Sequence, residues 1–212
     1  MIVKVKICGI TRVDDAWYAE EYGASAVGFI FYPPSPRAID PDGAGIITEA
    51  LGPFIAKVGV FVDEDPGKVI TTVKAAGLTA VQLHGSESPE YVSELQALAS
   101  PFKLQVIKAF RVDDDFNPGE LGKYSAGVFL LDTYDPDQQG GTGKTFDWEK
   151  AVDCEGLGKI ILAGGLNADN IAEAIQTAHP WGVDISSGVE SSPGVKDHEK
   201  LMSLFDSIQG SV

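Results

Sequence analysis

Apolar residues along this chain gather into short runs that recur at nearly even spacing. The runs fall at about 2–8, 26–31, 56–62, 80–84, 103–110, 127–132, 159–163 and 182–186. Each is rich in Val, Ile, Leu or Phe and reads as a strand. The stretches between them carry apolar residues at helical spacing instead. Examples are Asp14 to Glu21, Pro66 to Ala76, Pro89 to Ala99, Ala168 to Thr177 and Asp197 to Ile208. In the last of these, Leu201, Leu204, Phe205 and Ile208 form one stripe. Strands that alternate with helices predict a parallel sheet. Eight such repeats in 212 residues predict an α/β chain folded as one (β/α)8 TIM barrel over residues 1–212. A doubly wound open sheet is the alternative. No linker or low-complexity tract divides the chain.

Strand parity refines the picture. In the first run, Val3, Val5 and Ile7 share one face, and Lys4, Lys6 and Cys8 share the other. If the apolar face meets the helices, Lys6 and Cys8 point into the barrel. By the same alternation Gln82 and His84 oppose Val81 and Leu83, and Asp184 and Ser186 oppose Val183 and Ile185. The predicted interior therefore holds Lys6, Gln82, Lys108 and Asp184, and buried polar groups need partners. The first and eighth strands adjoin in a closed barrel, so a Lys6–Asp184 ion pair is expected.

Composition narrows the function classes. The net charge is −15, from 16 Lys and Arg against 31 Asp and Glu. Nucleic-acid binding needs a basic face, so no nucleic-acid partner is expected. No apolar run approaches the length of a membrane span, so no membrane association is expected either. Two cysteines are too few for a disulfide framework and fit a reducing compartment. The N-terminus enters strand-like alternation without an apolar targeting segment, and the expected location is cytoplasmic.

Candidate chemistry sits at the strand ends. Cys8 closes the first run and Gly9 follows it; Asp132 closes the sixth. The pair suggests proton transfer on a small substrate, although Cys8 could be simply buried and Asp132 could cap a turn. Ala163-Gly164-Gly165-Leu166-Asn167 follows the seventh run, and Asp184-Ile185-Ser186-Ser187-Gly188-Val189 the eighth. Glycines there let backbone N–H groups approach an anion, and barrels often hold phosphate in these two loops. Either loop alone could be only a tight turn; together they predict a phosphorylated small-molecule substrate. Gly140-Gly141-Thr142-Gly143-Lys144-Thr145 resembles a P-loop but fails its spacing, since the first glycine should stand at Gln138. It reads better as a Gly-rich loop over the site, with Gly141 and Gly143 adding donors. Pro33, Pro34 and Pro36 stiffen the arm that carries Arg37, which suits a carboxylate clamp or equally a solvated arginine. His84 is either a site residue or a satisfied rim histidine. Cys154, His179 and His198 read as passive, and no metal-ligand spacing is present.

These motifs together resemble the phosphoribosylanthranilate isomerases. The resemblance rests on Lys6-Ile7-Cys8-Gly9-Ile10-Thr11, Gly28-Phe29-Ile30-Phe31, Ser35-Pro36-Arg37, Val81-Gln82-Leu83-His84-Gly85, Asp132, Gly140-Gly141-Thr142-Gly143 and Asp184 to Glu190. They stand in order over essentially the whole chain. The resemblance implies a (β/α)8 barrel in tryptophan biosynthesis, with Cys8 as general base, Asp132 as general acid and Arg37 on the anthranilate carboxylate. It implies an Amadori rearrangement, which has no redox step and calls for no cofactor. The protein would be a monomer or homodimer. Other phosphosugar barrel enzymes fit less well. Epimerases want metal ligands or paired aspartates, and the related isomerase of histidine synthesis expects aspartate where Cys8 stands. A non-catalytic barrel would keep the glycine loops and need neither Cys8 nor Asp132.

Overall fold

The computed structural model describes residues 3–113, 115–132 and 148–210. Eight parallel strands close into one barrel in sequence order. They are β1 (Lys4–Cys8), β2 (Ala26–Ile30), β3 (Ala56–Phe61), β4 (Ala80–Leu83), β5 (Gln105–Arg111), β6 (Val128–Asp132), β7 (Lys159–Ala163) and β8 (Gly182–Ile185). Helices α1 (Val13–Glu21), α2 (Pro41–Ala50), α3 (Pro66–Ala75), α4 (Pro89–Ala99), α5 (Glu149–Val152), α6 (Ile171–Ala178) and α7 (His198–Gln209) alternate with them. The order β1 to β8, closed by β8 against β1, is the predicted TIM barrel and excludes the open sheet.

Three helices begin the same way. Asp40, Asp65 and Ser88 each accept a hydrogen bond from a first-turn N–H, and a proline follows each one. The cap satisfies an orphan donor while proline presets the helical φ. Helix α2 was not marked by apolar periodicity, because Gly43 and Gly45 interrupt its stripe. The start of α6 lies later than expected. Asn167 and Asn170 tie the preceding segment into a side-chain turn, with Asn167 N–H donating to Asn170 Oδ1 at 2.9 Å. After β5 a 3₁₀ helix, Pro118–Lys123, stands where the repeat would place an α-helix.

Two apolar layers result. Most of the core lies between strands and helices, including Ile7, Val27, Phe29, Leu83, Phe129, Leu162, Leu201 and Leu204. A second, smaller cluster of Val58, Ala80, Ile107, Ala109, Leu130, Ile161 and Ala163 fills the barrel interior. Lys6 and Asp184 are register partners there, and their charged atoms lie 2.8 Å apart with the side chains 4% and 8% exposed. The expected ion pair is present.

Lys108 corrects the parity reading. Ile107 and Ala109 line the interior, so Lys108 between them faces the helix layer. There its ammonium donates to Glu87 at 2.9 Å and to the Gly85 carbonyl at 2.7 Å. β5 is buried on both faces, and alternation along such a strand does not reveal which face is inner.

One element was not anticipated. Beyond β8 a 3₁₀ turn, Ser187–Val189, leads into a hairpin of β9 (Glu190–Ser192) and β10 (Val195–Lys196). Pro193 and Gly194 make its turn, with Gly194 at φ +81°. No described helix is long and apolar enough to cross a membrane.

Candidate active site

Cys8 and Asp132 end β1 and β6, and so stand on the same rim of the barrel, at the C-terminal ends of the strands. The loops after β7 and β8 lie between them. The backbone turns at Gly164 and Gly165, both with positive φ, +94° and +64°. Gly188 packs against that loop so tightly that an added Cβ would stand 2.0 Å from the Leu166 carbonyl oxygen. Glycine at 188 is what lets the two loops touch. Gly165 and Ser187 are exposed at the mouth. The Ser186 hydroxyl is buried and, among the described residues, has no hydrogen-bond partner. Gly141 and Gly143 lie outside the described residues.

Around Cys8 the packing is close. Its register partner on β2 is Gly28. A Cβ at Gly28 would lie 2.8 Å from the thiol sulfur and 3.0 Å from the Lys6 ammonium. Gly28 therefore makes the space in which both side chains sit. Burial pushes the Cys8 thiol up; Lys6 pulls it down, Asp184 pushes it up again, Lys196 pulls down, and the balance lies above the ordinary value. The thiol is thus the resting form. Lys6 does not acidify it alone, because Asp184 answers its charge. Burial also lowers Lys6, but the charges of Asp184 and Cys8 outweigh it and the ammonium is held above its ordinary range.

His84 joins Asp132 in a short relay. Gln82 Nε2 donates to His84 Nδ1 at 2.9 Å, and His84 Nε2 lies 3.0 Å from Asp132 Oδ2. An accepting Nδ1 leaves the proton on Nε2, which donates to the carboxylate. Gln82 Oε1 is buried and lacks a partner among the described residues. Sequence reading marked each residue separately and missed the chain that they form, since the link crosses from β4 to β6.

Arg37 sits over Gly9, its Cδ 2.7 Å from where a Cβ at Gly9 would be. Its Nε and Nη2 donate to the Glu190 carboxylate at 2.9 and 2.6 Å. Arg37 is thus engaged along its Nε–Nη2 edge by a carboxylate of this chain. Glu190 also accepts from Lys196 at 2.9 Å. Burial raises Glu190, but Arg37 and Lys196 hold its carboxyl below the usual range. Lys196, whose side chain is fully buried, donates further to the carbonyls of Cys8 at 2.6 Å and Ser186 at 3.2 Å. Burial lowers its ammonium more than Glu190 restores it. The sequence signal for this hairpin was the Pro193-Gly194 turn.

The remaining candidates fall outside this cluster. Cys154 is buried under α5, its thiol donating to the Lys150 carbonyl, and burial followed by the Asp153 charge pushes it to about 11. His198 lies 3.0 Å from buried Asp15, and His179 ends α6 in the left-handed region. No group of three His, Cys, Asp or Glu among the described residues is arranged to hold a metal ion.

Comparison with known proteins bears on what this rim does. Residues 5–207 match the family model described as N-(5'phosphoribosyl)anthranilate (PRA) isomerase. A relative from Geobacter sp. (strain M21), named N-(5'-phosphoribosyl)anthranilate isomerase, is 48% identical over 94% of this chain and 95% of its own. The crystal structure of phosphoribosyl anthranilate isomerase from Thermotoga maritima superposes with a TM-score of 0.87 at 41% identity, over 98% of this chain and 99% of that one. Another isomerase structure, in complex with reduced 1-(o-carboxyphenylamino)-1-deoxyribulose 5-phosphate, gives 0.83 at 38% identity with the same coverage. The chain belongs to the N-(5'-phosphoribosyl)anthranilate isomerase family.

Proposed function

We propose that this chain is the isomerase of tryptophan biosynthesis that converts N-(5'-phosphoribosyl)anthranilate to 1-(2-carboxyphenylamino)-1-deoxyribulose 5-phosphate. The supporting observation is a rim on which Cys8 and Asp132 flank the two glycine-bearing loops, in a chain matched by that family over residues 5–207. Protonated Asp132 donates to the furanose ring oxygen; the C1–O bond opens and leaves an iminium between C1 and the anthranilate nitrogen. The Cys8 thiolate takes the C2 proton, and the electron pair of that bond forms the enolamine. Tautomerisation moves the hydroxyl proton at C2 to C1 and gives the ketone. No electrons leave the substrate.

The other residues divide between holding and assisting. Gly164, Gly165, Ser186, Ser187 and Gly188 receive the phosphate, and the unpartnered Ser186 hydroxyl supplies a donor there. Gly141 and Gly143 are proposed to add donors from the long loop. Arg37 is proposed to meet the anthranilate carboxylate, with its Nε and Nη2 held in place by Glu190. Asp184 acts through Lys6 below the thiol. His84 is a proton partner of Asp132: when the Gln82 amide turns, Oε1 accepts from Nδ1–H and Nε2 can accept from the acid. A fluorescence assay on the purified chain, following loss of freshly made phosphoribosylanthranilate, tests the activity. Turnover by wild type and its loss in Cys8→Ala are expected; equal turnover by both would remove Cys8 as the base.

A further inference from the structure

Lys196 occupies an unusual place relative to the barrel seam. The β8–β1 ladder runs as far as Ile7 opposite Ile185. The next residues along the two strands are Cys8 and Ser186. One is the proposed base, and the other carries the unpartnered hydroxyl of the phosphate turn. The Lys196 ammonium donates to both of their carbonyls, at 2.6 and 3.2 Å, and to Glu190 Oε1 at 2.9 Å. An ammonium has three donors, so these partners exhaust it. The side chain is fully buried, and ion pairing with Glu190 offsets the cost of enclosing the charge.

We propose that Lys196 is a positioning residue of the reaction, tying the Cys8 and Ser186 backbones together one step beyond the end of the ladder and bringing a second positive charge to the thiol. The proposal deepens the assignment of Cys8 as base and rests on it. Glu190 extends the tie to Arg37, which it holds over Gly9. One residue of the hairpin thereby sets the spacing of base and phosphate turn, and its partner sets the arginine. The hairpin itself is anchored from behind: the Lys196 N–H donates to Asp15 on α1 at 2.9 Å, and Asp15 also meets His198 on α7.

Charges converge on Cys8 from every neighbouring element. Lys6 lies on its own strand and Asp184 on β8; Lys196 comes from β10, with Glu190 on β9 and Arg37 on the arm after β2 behind it. Two substitutions of Lys196 should move the thiol in the same direction. Lys196→Met removes a cation and should raise the titration midpoint of Cys8 by about one pH unit. Lys196→Gln keeps N–H donors for the carbonyls but loses the charge, and should raise it likewise.

The midpoint is read from the ultraviolet absorbance of the thiolate. It is taken as the difference between a Cys154→Ala background and that background carrying Cys8→Ala. Binding of inorganic phosphate is measured on the same proteins and should weaken several-fold in Lys196→Met. An unmoved midpoint in a folded Lys196→Met variant overturns the proposal. If Lys196→Met does not fold, the Lys196→Gln arm decides, and a midpoint that stays or falls there overturns it. Turnover separates this inference from the one beneath it. Undiminished kcat/KM in Cys8→Ala sinks the base assignment, whereas its loss there with undiminished kcat/KM in Lys196→Met overturns the positioning role alone.

Discussion

Single residues carry the chemistry, and their surroundings set its pH. Cys8→Ala is expected to lower kcat by roughly 10²-fold or more, since a positioned base is worth about that much. Cys154→Ala should leave turnover unchanged. As the proposed base Cys8 must lose its proton to act, and its surroundings hold the thiol above the ordinary value. The rising limb of kcat/KM against pH should therefore be displaced to the alkaline side of a free thiol, and a limb near neutrality would contradict this balance. Asp132→Asn keeps shape and loses the transferable proton, so kcat should fall with a smaller effect on KM. His84→Ala should fall in the same direction but less far; equal kcat to wild type would detach His84 from the acid. At this scale the sequence was legible where one side chain ends one strand. It announced the Lys6–Asp184 pair, whose strands adjoin, but not pairings between more distant elements: nothing at Gln82, His84 or Asp132 announces the other two, and nothing at Arg37 announces Glu190.

Among elements, the hairpin of β9 and β10 matters most for the rim. Its Glu190 binds two cations and is held below the usual carboxylate range. A depressed carboxyl contributes stability above its ordinary value and loses it as pH falls through the lowered one. Acid unfolding followed by circular dichroism should accordingly show a component in that window that Glu190→Gln lacks. Arg37→Met should raise KM and weaken product-analogue binding, by about 1.5–3 kcal/mol for the charged contact. It should also lower stability, because Glu190 would keep only one of its cations. Gly28→Ala is a narrower probe. Its methyl would press the Cys8 sulfur and the Lys6 ammonium together, so kcat should drop while the far side of the barrel is untouched. Element type and order were readable from apolar runs and from Asp-Pro and Ser-Pro helix starts. Element boundaries moved where side chains made turns the periodicity cannot express, as at Asn167 and Asn170.

For the molecule as a whole, the Lys6–Asp184 pair commits two charges to the barrel interior. Lys6→Met should cost about 3–5 kcal/mol, because Asp184 is left uncompensated. The double variant Lys6→Met, Asp184→Leu should recover most of that in denaturant melts, while leaving activity low. A double variant no more stable than the single one would mean that the pair is not coupled. The closed topology was foreseeable because eight strand runs admit few other arrangements. The inner face of β5 was not, since both its faces are buried and Lys108 could satisfy its charge on either side.

The seam between β8 and β1 has one more consequence, for the order of events during synthesis. Lys6 with Asp184, Cys8 with Lys196, and Asp15 with His198 are separated by 178, 188 and 183 positions. A ribosome therefore releases Cys8 and Arg37 long before it releases the groups that fix them. Lys6 waits for β8, and until the final hairpin emerges Asp15 and the Cys8 carbonyl lack the donors that hold them. Contacts this distant in sequence are also slow to form, because the intervening chain must be ordered first. A nascent chain arrested before Glu190 would hold most of the strands and none of the turnover.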